Sequence, residues 1–248
     1  MTLRFRPLIG FTLLCLPMFV LLIGLGMWQL QRLHWKLGLI AEMTHNMAAA
    51  PISLDAALAL GADAQYRPVT LTGQFENSRE VYVFTTGPQG VPVYHVLTPL
   101  ALTDGRVMMV DRGFVPTTLR NPSSRPGSEP QGHVVITAIW RMPDVPGPFT
   151  PRPDMKHRVW FARDIAGIAR AENLKLAAPA ILEATAATNK QPWPKGGQTR
   201  VDLPNDHLQY ALTWFMLAAV LVVIYFVFHH AHGRLEIAAG RKSHRAGG

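Results

Sequence analysis

The sequence predicts a membrane protein in which two transmembrane α-helices flank an antiparallel, β-rich extracytoplasmic domain, barrel- or sandwich-like and of the α+β type. Three observations lead to this fold class. Two stretches without a charged residue, 8–30 and 208–228, lie near the two ends of the chain. The segment between them alternates short apolar and polar runs with turn-forming residues. Basic residues are concentrated at both chain ends.

The first predicted span covers residues 8–30. At about 1.5 Å per residue this stretch is long enough to cross a hydrocarbon core of about 30 Å. A cleaved signal peptide is the alternative, because Ala48, Ala49 and Ala50 resemble a cleavage site. However, the apolar run is longer than a signal core and the alanines lie far beyond its end, which favours an uncleaved anchor.

The second predicted span covers residues 207–228 and has aromatic residues at both ends, as membrane interfaces favour. Because cytoplasmic ends are rich in Lys and Arg, the tails 1–7 and 229–248 are predicted to be cytoplasmic, and the domain 31–206 to lie outside. The simplest location is a bacterial plasma (inner) membrane, with the domain in the periplasm. Arg32 and Lys36 oppose this charge rule, which indicates a functional role for them.

The formal charge of +8 does not indicate nucleic-acid binding. Residues 37–207 contain 16 basic and 15 acidic residues, so the excess charge lies at the chain ends and beside the first span. The single cysteine, Cys15, lies inside that span. The outer domain can therefore form neither a disulfide nor a thiolate metal site.

Five strands are predicted in the outer domain. They are expected at 67–75, 80–85, 91–97, 106–111 and 133–140, with an Asp104-Gly105 turn before the fourth. A short helix is predicted at 164–173 with Asp164 as its cap, and a last strand at 180–184. The proline-rich segments 116–132 and 142–153 are predicted to be exposed loops.

No enzyme motif is found in this domain, and the chain is predicted not to be an enzyme. His95, in the third predicted strand, is the most plausible single base. A lone histidine in a β-rich domain is more often a hydrogen-bonded structural residue.

A helical wheel continued through residue 36 places one group of residues on a common face of the first helix: Trp28, Gln29, Arg32, Trp35 and Lys36. His34 points the other way. On the second span a narrow face contains His207, Ala211, Trp214, Ala218 and Tyr225, with Tyr210 at its edge. Both groups lie at one membrane depth, so the two faces are expected to meet, with the alanines leaving room for a flat group.

Such a combination suits a haem, because an imidazole can ligate the iron and aromatic walls can contact the macrocycle. Arginine or lysine at the water boundary can pair with the propionates. The alternative is that tryptophan and basic residues at a bilayer boundary are ordinary anchors.

Several motifs resemble the Surfeit locus protein one family. The WQxxRxxWK pattern is matched by Trp28, Gln29, Arg32, Trp35 and Lys36. The further matches are YRPVTLTGQF, GPQGVPVYHVLTPL, VMMVDRGFVP and NDHLQYALTWFMLA, in family order. Asp111 departs from the asparagine that is common in the family.

The resemblance implies an assembly factor for a terminal haem-copper oxidase that binds haem of the a type at the outer membrane face and aids its insertion into the catalytic subunit. His207 is then the proposed iron ligand, and Trp28 and Arg32 belong to the other family motif. We add Lys36 as a second propionate partner, and Tyr210 and Trp214 as macrocycle walls. The expected partners are the catalytic subunit, membrane lipid and haem-synthesis enzymes. A haem-free scaffold that stabilises an oxidase intermediate is the alternative, and the client can be of the cytochrome c or the quinol type.

Overall fold

The computed structural model describes residues 2–185, 191–197, 199 and 205–238. The chain forms two compact units, one of residues 1–40 and 203–248 and the other of residues 41–202. In chain order the elements are β1 (Thr2–Phe5), α1 (Ile9–Ala48), β2 (Ile52–Ser53), α2 (Leu54–Leu60), β3 (Pro68–Phe75), β4 (Val81–Thr86), β5 (Pro92–Leu102), β6 (Val107–Pro116), β7 (His133–Arg141), β8 (Val159–Trp160), α3 (Ile165–Ala171), β9 (Leu176–Ala184), α4 (His207–Ala231) and β10 (Leu235–Ala238).

Helices α1 and α4 are both long and apolar enough to cross a membrane. Helix α1 extends well past the predicted span, as far as Ala48. Its second half contains more polar residues but is still rich in Leu, Met and Gln, which are good helix formers. It ends just before Pro51, which disfavours helical geometry in the residue before it. Most of the predicted basic C-terminal tail, from residue 239 on, lies outside the described residues.

Small residues bring the two long helices close together. Ala211 and Ala218 are each 1% exposed. Gly26 lies against the ring of Phe215, and a Cβ atom on Gly26 would be 2.4 Å from that ring. Small side chains of this kind let membrane helices approach and gain van der Waals contact. The helix pair is therefore closed at these positions.

Polar contacts join the opposite ends of the same helices. The hydroxyl groups of Thr12 and Tyr225 lie 2.7 Å apart, and the backbone N–H of Leu8 donates to Nε2 of His229 over 3.0 Å. Strands β1 and β10 then pair in antiparallel fashion, with Phe5 opposite Leu235. The two chain ends of this unit are thus held together.

The second unit is built on one sheet that closes on itself. Its strand order is β2-β3-β7-β9-β6-β5-β4-β8, and β3 also pairs with β5. Strands β3, β7, β9, β6 and β5 therefore form a ring, which selects a barrel over a sandwich. Strand β4 pairs with the first half of β5, while Gly73–Phe75 of β3 pair with its last residues. Most pairs are antiparallel, but β9 runs parallel to β6.

Apolar side chains fill this unit in two main clusters. The larger one joins β3, β6, β7, β9 and α2, and includes Val69, Leu71, Phe75, Leu100, Met108, Val110, Ile136, Trp140 and Leu182. The second lies beneath α3 and includes Val81, Val83, Leu97, Met109, Trp160, Ile165, Ile168 and Ile181. Asp164 precedes the first residue of α3, and its side chain accepts a hydrogen bond from the Gly167 N–H. The predicted cap is therefore confirmed.

The predicted strands are all present, and four of them (β5, β6, β7 and β9) are longer than predicted. In β3 the buried and exposed residues alternate as expected. The loop 116–132 is largely exposed, but the prediction is wrong for Arg125 and Ser128, which are buried. They are buried because Arg125 forms an ion pair with the buried carboxylate of Glu80 and donates to the hydroxyl of Ser128.

Candidate functional site

A histidine and a glutamine join α1 and α4 where α4 begins. Nδ1 of His207 lies 2.7 Å from Oε1 of Gln29. Because an amide oxygen only accepts, Nδ1 is the donor and carries the proton. The neutral ring then has its lone pair on Nε2, and no described residue bonds to that atom. His207 therefore presents one oriented ligand atom at the surface of the helix pair.

Beside this pair, an arginine is stacked between two tryptophans of α1. The guanidinium carbon of Arg32 lies 5.8 Å from the ring centroid of Trp28 and 5.4 Å from that of Trp35. Both tryptophans are exposed, as is Arg32. We call these three residues the aromatic–basic cluster. It places a fixed positive charge and two apolar ring surfaces on one flank of α1.

The other predicted site residues are spread around the same level. Tyr210 is exposed, Trp214 is half-buried, and Lys36 is half-buried one turn beyond Arg32. The structure therefore brings His207 into contact with Gln29, and Arg32 into contact with Trp28 and Trp35. None of the described contacts joins His207 to Arg32.

The room expected beside Ala211 and Ala218 is absent from the described helix pair. The prediction that these alanines leave a slot for a flat group is wrong, since both are almost fully buried. Close helix packing fills the space beside these small side chains, just as the ring of Phe215 fills the space beside Gly26. A planar ligand would have to lie on the exposed flank of the pair.

A second polar site lies on the outer face of the barrel, because Asp111, Glu183 and Arg141 alternate with the core residues Val110, Leu182 and Trp140. This site lines an open cavity of about 800 Å³ including its mouth, which we call the barrel cavity. Nδ1 of His95 on β5 lies 2.7 Å from Oδ2 of Asp111 on β6. The other carboxylate oxygen of Asp111 accepts from the Gly113 N–H. On the neighbouring strand β9, Glu183 is in register with Asp111 and accepts from Arg163 and from the hydroxyl of Thr199. His95 thus has a carboxylate partner that sequence spacing did not reveal.

These charges shift one another's protonation. Burial alone would lower the pKa of His95, but the charge of Asp111 and its hydrogen bond outweigh burial and raise that pKa. Burial alone would raise the pKa of Asp111, yet His95, followed by Arg163 and the Gly113 N–H, lowers it. Burial alone would lower the pKa of Arg163, but the negative charges of Asp111, Glu183 and Asp144 outweigh burial and raise that pKa. Each group is therefore stabilised in its charged form.

The described residues offer a metal ion fewer than three protein ligands at any one place. No group of three or more His, Cys, Asp or Glu side chains in that part of the chain is placed to hold an ion. His207 could still ligate a metal that brings its other ligands with it, as a metalloporphyrin does.

Two features of these sites were missed by sequence reasoning. Gln29 was on the predicted helix face, but its contact with His207 depends on how the helices are rotated. The charged neighbours of His95 are Asp111 on β6, Glu183 on β9 and Arg163. Pairing of β6 with both β5 and β9 brings them together, and no local spacing encodes that.

Comparison with known proteins agrees with this architecture. The sequence profile of the SURF1 family matches residues 16–219. Surfeit locus protein 1 of Mus musculus is 35% identical over 221 residues, which cover 82% of this chain and 70% of that protein. The protein of the same name from Homo sapiens is 34% identical, over 82% of this chain and 72% of its own length. A SURF1-like protein of Drosophila melanogaster is 34% identical over 90% of this chain and 78% of its own. The chain therefore belongs to the SURF1 family.

Proposed function

We propose that this chain is an assembly factor for a terminal haem-copper oxidase, which binds haem of the a type beside α4 and aids its transfer to the catalytic subunit. Family membership supports the role in oxidase assembly. The observation that carries the haem-binding part is the His207–Gln29 hydrogen bond, because it leaves Nε2 of His207 as a ligand with a fixed orientation.

The residues present fit a haem as cargo. His207 would supply one imidazole ligand, and the exposed rings of Trp28 and Tyr210 would cover part of the macrocycle. Arg32 and Lys36 would pair with the carboxylates of the propionates, and Trp214 would support the wall beside His207. Because Ala211 and Ala218 are buried, the ring system would lie on the flank of the helix pair.

A single protein ligand suits transfer better than storage. One imidazole binds more weakly than a bis-histidine site, so an apoprotein that offers stronger ligation can take the haem. Gln29 acts here as a positioning residue, since it fixes the tautomer and the angle of the ring. The protein itself then makes and breaks no covalent bond.

The test is the visible spectrum of the full-length protein purified from a host that makes haem a. The wild-type protein is expected to show a Soret band, and His207→Ala to lose most of it. Gln29→Leu should lower haem affinity about tenfold or more, as loss of a hydrogen bond behind a ligating histidine does. The matched control is His34→Ala. His34 lies on α1, as Gln29 does, but it is exposed, and among the described groups it bonds only to the Leu30 carbonyl oxygen. Equal Soret bands in wild type and His207→Ala would contradict the proposal.

A second candidate is a haem-free scaffold that stabilises an oxidase intermediate. The close packing at Gly26, Ala211 and Ala218 favours it, because the family motif that contains the two alanines is then explained by helix contact alone. A colourless wild-type protein that restores oxidase assembly in a strain lacking it would select the scaffold. Co-purification should recover the catalytic subunit in either case, from the bacterial inner membrane that we propose as the location.

A further inference from the structure

The barrel cavity combines a buried Asp–His pair with two arginines, and the proposed function does not use it. Its polar lining includes His95, Asp111, Arg141, Arg163, Glu183 and Thr199. These residues come from β5, β6, β7, β9 and the segments at 163 and 199. The neighbouring strands and these two segments therefore place two arginines, two carboxylates and one imidazole around a single open space.

Each carboxylate oxygen of this lining already accepts a hydrogen bond from the protein. Both oxygens of Asp111 do so, from His95 and from the Gly113 N–H. Both oxygens of Glu183 do so as well, from Arg163 and Thr199. The carboxylates therefore have donor partners within the described chain.

Donors, by contrast, are left over. Among the described residues, Arg141 donates no hydrogen bond, and its Nε lies 3.6 Å from Glu183 and is buried. Nη2 of Arg163 and Nε2 of His95 have no hydrogen-bond partner in the described chain either. Two guanidinium groups and one imidazole thus face the cavity with unused donors, which fits an acceptor-rich anion.

The charge balance selects the kind of anion. The two arginines and two carboxylates sum to zero, and protonation of His95 adds one positive charge. Asp144, the remaining acidic group near Arg163, is half-exposed and does not line the cavity. A singly charged carboxylate would restore neutrality, whereas a doubly charged phosphate would leave an excess negative charge at a partly buried site.

We propose that the barrel cavity is a binding site for a small monocarboxylate, which Arg141, Arg163 and Nε2 of protonated His95 hold. Binding is then linked to the protonation of His95, and affinity falls as the pH rises through the pKa of that ring. Asp111, Glu183, Arg141 and Arg163 are the other charged groups that line the cavity around this ring. This site belongs to the second unit and does not depend on the proposed haem function.

The experiment uses the full-length protein in detergent micelles, with propionate as the probe and sulfate, which is doubly charged at both pH values used, for comparison. Calorimetric titration should show saturable propionate binding that is about tenfold or more tighter at pH 6 than at pH 9, because one charge-assisted hydrogen bond is lost. Arg141→Gln should weaken binding by a similar factor. His95→Gln, which can still bond to Asp111, should remove the pH dependence.

Arg106→Gln is the matched control, because Arg106 is paired with Asp104 and Asp55 on the surface, outside the cavity. A second readout is protection by propionate of Arg141 and Arg163 from phenylglyoxal, measured by peptide mass, with Arg106 as the unprotected reference. Lack of saturable propionate binding, equal affinity for sulfate, or wild-type binding by both Arg141→Gln and His95→Gln would overturn the proposal. Buried-tryptophan emission checks that each variant is folded.

Discussion

At the scale of single residues, the second unit contains a buried ionic network under the loop 116–132. Glu80 accepts from Arg125 and from the hydroxyl of Tyr82, which lies 2.5 Å away. Burial, and then the hydrogen bond to Glu80, raises the pKa of Tyr82. Burial lowers the pKa of Arg112 to about 10, although Glu80 opposes that shift. Glu80 is therefore the anion that balances two buried arginines.

Arg125→Met tests this network. The variant leaves Glu80 buried with one cation fewer, which is expected to cost about 3 kcal/mol or more of unfolding free energy. Denaturant unfolding followed by tryptophan fluorescence measures it. Arg120→Met, on the same loop, is the control, because Arg120 stacks on Tyr82 and Tyr94 and its removal should cost only about 1 kcal/mol. If both variants lose the same unfolding free energy, the buried ion pair adds nothing to the stability of the protein.

The His95–Asp111 pair predicts how stability depends on pH. The pKa of His95 is raised from 6.5. Its contribution to the free energy of unfolding is therefore complete below pH 6.5 and is lost as the pH rises through the raised pKa. The pKa of Asp111 is lowered from 3.8. Its contribution to the free energy of unfolding is therefore present above pH 3.8 and is lost as the pH falls through the lowered pKa. The pair therefore stabilises the folded state most between pH 3.8 and 6.5.

In His95→Gln the decline on the alkaline side should disappear from a plot of denaturation midpoint against pH. His157→Gln is the control, because His157 forms a similar 2.6 Å contact with Asp154 but both groups are about half exposed. Solvent screening should leave its effect close to zero. An unchanged profile in His95→Gln would mean that the buried pair does not set the pH dependence.

At the scale of secondary structure, the strands were predictable and the closing of the sheet was not. Alternation of Val69, Leu71 and Phe75 with polar residues predicts β3, because one face of a strand is buried. Nothing in the same residues says that β3 also pairs with β5. The short strands β2 and β8 were missed, since each has two residues and is defined by its partner.

The closing contact depends on Gly73. A Cβ atom there would lie 2.4 Å from the carbonyl oxygen of Ala101 on β5, which is backbone and cannot turn away. Gly73→Ala should therefore separate β3 from β5 and lower the unfolding free energy by about 2 kcal/mol or more. Thr72→Ala, an exposed neighbour on the same strand, is the control in the same denaturation assay. If the two variants are equally stable, the contact between β3 and β5 is not tight in solution.

At the scale of the whole molecule, charge and hydropathy predicted the two spans but only part of the site. Helical periodicity placed Gln29 and His207 on facing surfaces, and the structure joins them. Periodicity alone could not show that Ala211 and Ala218 are used for helix packing, because a small residue leaves room either for a ligand or for a neighbouring helix. Helix rotation decides between these uses.

The same organisation predicts the topology of the chain. Two crossings return the chain to its starting side, and β1 pairs with β10 so that Phe5 lies opposite Leu235. Arg4, Arg6 and Arg234 lie beside this pairing, and basic ends of this kind remain in the cytoplasm. The barrel, between the spans in sequence, is then expected on the periplasmic side of a bacterial inner membrane.

Single cysteines introduced into a Cys15→Ser chain test this topology, because Cys15 is the only native cysteine and is buried within α1. Ser123→Cys, on the exposed part of the loop 116–132, should react with a membrane-impermeant maleimide in intact spheroplasts. Arg234→Cys is also exposed, yet it should react only after the membrane is permeabilised. The Cys15→Ser parent, without label under either condition, is the control. Labelling of Arg234→Cys in intact spheroplasts would reverse the assignment and would move the barrel to the cytoplasm, away from the outer face that the proposed haem transfer requires.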